Sequence, residues 1–135
     1  FQEPWLDEGL TTYSSGIYYE FAVGRTAFNE VFSYWQASHD RLLQAGRDVP
    51  ISWSLSEFEQ HDPAAYAPVA YSKAALFFDE LRKDVGDEAF FAALQLYYEQ
   101  DQFAIAHSDD LRAAFVQVAG SDVNGLFDKW LNKAP

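Results

Sequence analysis

The sequence predicts an all-α protein, an irregular multi-helix bundle of about six helices. Three observations carry that prediction. Apolar residues recur at spacings of three and four along nearly the whole chain. Gly24, Gly46, Gly86 and Gly120 each close one of these periodic stretches. Aromatic residues make up 18% of the chain, with 12 Phe, 8 Tyr and 4 Trp, a supply of large rings for helix–helix contacts. No repeat of fixed period occurs, so a solenoid is disfavoured.

The elements follow in order. Pro4 suits a first-turn position, and the opening helix runs from Trp5 to about Val23, closed by Gly24. Its internal Gly9 and Gly16 each lower helix propensity by roughly 1 kcal/mol relative to alanine, so tertiary packing must hold it. A second helix spans about Thr26 to Ala45, with Phe28, Val31, Phe32, Trp35 and Leu42 on one stripe. Residues 47–62 break the pattern with Asp48, Pro50, three serines and acidic Glu57, Glu59 and Asp62. They read as a long surface connection tacked down by Ile51, Trp53, Leu55 and Phe58, with nothing that supports a strand.

A third helix starts within Pro63–Pro68 and reaches Val85, its core stripe being Ala74, Phe77, Leu81 and Val85. Asp79, Glu80, Arg82 and Lys83 are expected to face mostly outward. Asp87 caps a fourth helix bearing Phe90, Leu94 and Tyr97. After a loop near Gln102–His107, Ser108 caps a fifth with Leu111, Phe115 and Val118 inward. Gly120-Ser121 is a stop-and-cap pair, and the last helix aligns Val123, Phe127 and Trp130.

Composition excludes several classes of function. At 135 residues the chain is one domain's worth, long enough for a substantial core. A net charge of −12 argues against nucleic acid and anionic membrane surfaces, which require clustered Lys and Arg. The absence of cysteine removes disulfides and thiol chemistry without fixing a compartment. No stretch approaches eighteen uninterrupted apolar residues, the length a membrane-spanning helix needs.

One local pattern is more specific than the rest. Trp5-Leu6-Asp7-Glu8-Gly9, followed by Thr11-Thr12-Tyr13, sets a lone glutamate among apolar neighbours at the start of a helix. By itself Glu8 would be an acidic first-turn residue favoured by the helix dipole. The stretch closely resembles the W-L-N-E-G-(F/L)-A-x-Y signature of zinc aminopeptidases of the alanyl aminopeptidase and leukotriene hydrolase type. That resemblance implies Glu8 as the third protein ligand of a catalytic Zn2+. The other two ligands come in that family from an H-E-x-x-H motif on a preceding helix, which would lie upstream of Phe1. His39, His61 and His107 are scattered singly, in no H-x-x-x-H pair, and read as surface or capping residues. Zinc sites need three or four convergent ligands, and one of them is legible in this segment.

A second mark agrees with the first. Val69-Ala70-Tyr71-Ser72-Lys73-Ala74-Ala75 resembles the (V/S)-x-Y-x-K-G-A pattern that follows the zinc glutamate in the same family. The resemblance implies Tyr71 as the catalytic tyrosine, whose phenol donates a hydrogen bond to the oxygen of the tetrahedral intermediate in peptide hydrolysis. Lys73 reads as a structural cation or a group behind the ligands, since a solvated lysine is a poor base. Asp7 stands where the family has asparagine, either supporting the neighbouring ligand from behind or facing water. Ala74 replaces the usual glycine and adds a methyl where that helix packs closely. Gly86-Asp87-Glu88 with Phe90 extends the likeness, so it covers most of the chain, although only the two motif segments are specific.

The resemblance therefore implies the helical half of a thermolysin-like catalytic domain. A parent enzyme of this type releases N-terminal residues from peptide substrates with zinc-activated water. The 135-residue piece itself is expected to hold no zinc stably, to be inactive, and to pair with a missing N-terminal half of the domain. Two other readings stand beside it. One is a non-catalytic helical interaction module, or inactive relative, prone to self-association through an uncovered aromatic face. The other is a glycyl aminopeptidase-like enzyme with a similar E-G-x-T-x-Y stretch. Side-chain preference and compartment, whether cytoplasmic, secreted or cell-surface, are not written in this segment.

Overall fold

A computed structural model describes residues 2–132. Among them are seven α-helices and no strand. The first, α1 (Pro4–Ala22), begins with proline at its first position, where a missing N–H costs nothing. Trp5, Leu6, Gly9, Tyr13 and Gly16 form its buried face. Gly24, at φ 128, makes the turn into α2 (Arg25–Gln44), a conformation that residues with side chains rarely adopt.

The segment after α2 departs from expectation. Residues 47–62, read from sequence as irregular surface, contain a seven-residue helix, α3 (Leu55–His61). A capping box starts it: the Glu57 carboxylate accepts from the Ser54 backbone N–H at 2.7 Å, and the Ser54 hydroxyl accepts from the Glu57 N–H at 3.3 Å. The segment is also more deeply embedded than a tacked-down loop. Ile51 and Phe58 are fully buried, and the Ile51 N–H donates to the Trp130 carbonyl at 3.3 Å.

A 3₁₀ turn (Pro63–Ala65) leads to a π-helical segment, Pro68–Lys73, which runs directly into α4 (Ala74–Val85). Then come α5 (Asp87–Asp101), α6 (Ser108–Ala119), a 3₁₀ turn (Ser121–Val123) and α7 (Asn124–Asn132). Around α4 the bundle closes: α1 lies along α4 and the π segment, α2 against both α1 and the π segment, and α5 against α6.

Aromatic rings fill the centre. Trp5 stands edge-on to Phe77 at 5.5 Å and stacks on Phe78 at 5.9 Å. Tyr13 meets Phe78 and Phe90, and Phe77 continues to Phe127 at 5.1 Å. Offset and edge-to-face pairs of this kind add about 0.5–1.5 kcal/mol each beyond the area they bury.

Two expectations about charge and burial fail. Asp79 and Arg82, read as outward-facing, are buried. Asp79 accepts from the Tyr13 hydroxyl at 3.3 Å and pairs with Lys83 at 2.6 Å. Arg82 donates to both oxygens of Asp87, at 2.8 and 2.9 Å, and to Glu20 at 2.6 Å. Except for Lys83, one turn along the same helix, these partners lie on α1 and at the start of α5, where periodicity within one helix gives no sign of them. Val118, expected inward, is exposed, because the buried stripe of α6 is Leu111, Ala114 and Phe115.

Candidate active site

Gly9 decides where Glu8 goes. A Cβ at position 9 would lie 2.5 Å from the Ala74 Cβ and 3.4 Å from the Ala70 carbonyl oxygen. Only a glycine lets α1 approach the junction between the π segment and α4 this closely. The methyl of Ala74, expected from sequence to crowd a close contact, is received by the missing side chain of Gly9. Glu8 precedes one partner in this contact and Tyr71 lies three residues before the other, so the two are carried together.

An expected result follows from that crossing. Gly9→Ala gains roughly 1 kcal/mol of helix propensity but overpacks two Cβ atoms, at a cost of about 1–3 kcal/mol. Neither contact is the end of a flexible side chain, so the cost is expected to win. Thermal unfolding should show the single variant destabilised, and Gly9→Ala with Ala74→Gly should recover most of the loss.

Glu8 and Tyr71 are both half-buried. The Glu8 carboxylate acts on the Tyr71 phenol: its pull as a hydrogen-bond acceptor, then burial, then its negative charge push that phenol up to about 12. Tyr66 completes the group. Its ring stands edge-on to Tyr71 with centroids 6.0 Å apart, and burial followed by the Glu8 charge raises its phenol too. Sequence reasoning missed Tyr66, which carries no local signal that sets it apart from the other tyrosines. Beside Tyr71 a groove of about 440 Å³ opens, walled by Thr12, Tyr34, Trp35 and Pro68, with Arg41 as its one charged lining residue.

The remaining sequence candidates lie elsewhere. Asp7 is exposed and borders a separate cleft of about 590 Å³ with Glu3, Tyr97 and His107. Lys73 is almost fully buried, and its ammonium donates to both oxygens of Asp48 and to the Val49 carbonyl rather than to Glu8. His61 is exposed near Trp53, whereas His39 is half-buried against Asp48. Among the described residues, no three His, Asp or Glu side chains converge into a group able to hold a metal ion.

The start of α1 is clamped from the far end of the chain. Glu3 accepts from the Ser108 N–H at 3.2 Å and meets His107 Nδ1 at 2.9 Å, while Trp5 Nε1 donates to the Ser108 hydroxyl at 3.1 Å. Burial alone would raise the Glu3 carboxyl; the bonds from Ser108 and His107 outweigh it and hold the group below its ordinary value. A depressed carboxylate stabilises the fold above its unfolded pKa and loses that contribution as pH falls through the folded value. Glu3→Gln is therefore expected to cost about 1 kcal/mol at pH 7. Melts of both proteins should converge as pH drops below about 4.5.

Comparison with known proteins finds likeness along most of the chain. The model of the peptidase family M1 domain matches residues 1–130. Aminopeptidase N of Streptomyces lividans is 26% identical over 136 residues, covering 96% of this chain and 15% of that protein. Aminopeptidase N of Lactococcus lactis subsp. cremoris strain MG1363 is 36% identical over 72 residues, 53% of this chain and 8% of its own length. Aminopeptidase M1-D of Oryza sativa subsp. japonica is 24% identical over 135 residues, again 96% of this chain and 15% of the relative. This chain thus spans a small part of each of these relatives, and no solved structure gives a significant match. With a family match that runs over nearly its whole length, the chain belongs to peptidase family M1.

Proposed function

We propose that this segment serves a zinc-dependent aminopeptidase, contributing Glu8 as a metal ligand and Tyr71 as the donor that stabilises the reacting carbonyl oxygen. The observation that carries the reading is the meeting of the Glu8 carboxylate and the Tyr71 phenol across two elements more than sixty residues apart in sequence. The relatives' names, aminopeptidase N among them, agree with it.

The donor set fits zinc in part. A half-buried carboxylate on a rigid helix is a ligand that zinc accepts. Two further donors would come from chain outside these residues. When bound, the ion would supply Lewis-acid polarisation and a water activated near neutral pH.

The segment's own residues have definable tasks. Tyr71 keeps its proton throughout the neutral range, so it acts as a hydrogen-bond donor and not as a base. A preorganised neutral donor gains strength as negative charge grows on the oxygen it faces. Tyr66, edge-on to that ring, restricts how far the phenol can swing. The groove beside Tyr71 gives an extended peptide a partly aromatic wall, with Tyr34 and Trp35, on which to lie.

The test uses the full-length protein on amino-acid p-nitroanilides with a free or an acetylated α-amine. Turnover of the free-amine substrates alone is expected, abolished by a chelator and restored by zinc. The 135-residue segment by itself should release no product with added zinc. Chelator-resistant turnover by the full-length protein, or equal cleavage of the acetylated substrates, defeats the proposal.

A further inference from the structure

Lys73 and Asp48 form a buried ion pair that the chemistry above does not use. Their side chains are 2% and 5% exposed, and Lys73 Nζ lies 2.8 Å from each Asp48 oxygen and 2.6 Å from the Val49 carbonyl. All three ammonium protons thus have an acceptor. His39 adds a contact to the same carboxylate, its Nε2 3.2 Å from Asp48 Oδ1. Residues from α2, from the loop behind it and from the π segment meet at this one carboxylate.

Such a pair is poorly explained by stability alone, because well-packed apolar residues commonly serve a buried position as well or better. Its place in the chain offers another explanation. Lys73 is the last residue of the π segment Pro68–Lys73, and Tyr71 lies two residues before it in the same segment. A π turn is strained relative to an α turn and persists where its surroundings impose it. Relaxation to α geometry re-phases the residues it carries, each of which is set about 100° from the next. Tyr71 would then turn away from Glu8.

The start of the segment cannot resist that relaxation through its own first donor, because Pro68 has no N–H. Its end is held twice: by the Ala74 methyl against Gly9, and by the Lys73 ammonium on Asp48 and Val49. The first contact sets the distance between α1 and this segment. The second is directional, and so it sets rotation.

We infer that the Asp48–Lys73 pair positions Tyr71, locking the rotation of the π segment so that the phenol faces Glu8. This rests on the proposed role of Tyr71, and the experiment separates the two ideas. In the full-length protein, Asp48→Asn and Lys73→Met are each made alone and in a Tyr71→Phe background, with circular dichroism confirming the fold. Each single variant should lose roughly ten- to a hundredfold in kcat, with KM within about twofold of wild type. In the Tyr71→Phe background the same substitutions should cost little more, because the group they aim is already gone.

Folded variants with unchanged kcat overturn the inference. So does an equal further loss in the Tyr71→Phe background, the signature of a contribution independent of that phenol. Full activity of Tyr71→Phe itself instead removes the reading beneath and this inference with it. Should Lys73→Met fail to fold, Asp48→Asn carries the test, since it is isosteric and replaces one of the two oxygens that receive the ammonium with an NH2 that cannot accept.

Discussion

Tyr71→Phe in the full-length protein is expected to lower kcat by roughly 10²–10³, equivalent to about 2.7–4 kcal/mol of transition-state stabilisation. The substitution deletes one oxygen and keeps the ring, so the edge-on contact with Tyr66 survives and the fold should be untouched. KM should change little, because the donor acts on charge that develops only as the carbonyl reacts. A variant with wild-type kcat contradicts the assignment of Tyr71.

Glu8→Gln is expected to have an effect at least as large, and it is read first in metal content. Removing groups that merely orient a metal ligand commonly costs 10–100-fold in affinity or activity, and loss of a ligand should exceed that. Elemental analysis after dialysis should find about one zinc per wild-type protein and little in the variant. Turnover should fall to background in parallel. The amide keeps the size of the carboxylate, so circular dichroism should be unchanged. Full zinc occupancy in Glu8→Gln shows that the carboxylate is not a ligand.

Glu8 and Tyr71 stand out as candidates because each sits in a short run of residues with fixed spacing, which a linear reading can recognise. What brings them together was half legible. Gly9 belongs to the first run and Ala74 to the second, yet their contact is a fact of helix crossing that neither run states. Periodicity located the long helices because one face of each is apolar, and it failed where charge is buried. Asp79 and Arg82 occupy positions that hydrophobicity assigns to solvent, and their partners Tyr13, Glu20 and Asp87 neutralise the cost from other helices.

Asp48 was invisible for the same reason, its partner Lys73 lying 25 positions away. The helix α3 was missed for a different one. Ser54 and Glu57 stand at capping-box spacing ahead of Phe58, a signal set among a proline and serines that themselves read as loop. Tyr66 had no signal at all.

The Glu3–Ser108 link spans 105 positions, and with Trp5 it ties down the first turn of the helix that carries Glu8. A ribosome delivers a chain from its amino end, at about 5–20 residues per second. For the seconds between those two positions, the helix bearing Glu8 is made but its anchor is not yet synthesised. On the proposal that Glu8 is a metal ligand, an ion that requires a fixed carboxylate would be captured only after residues near 108 have emerged.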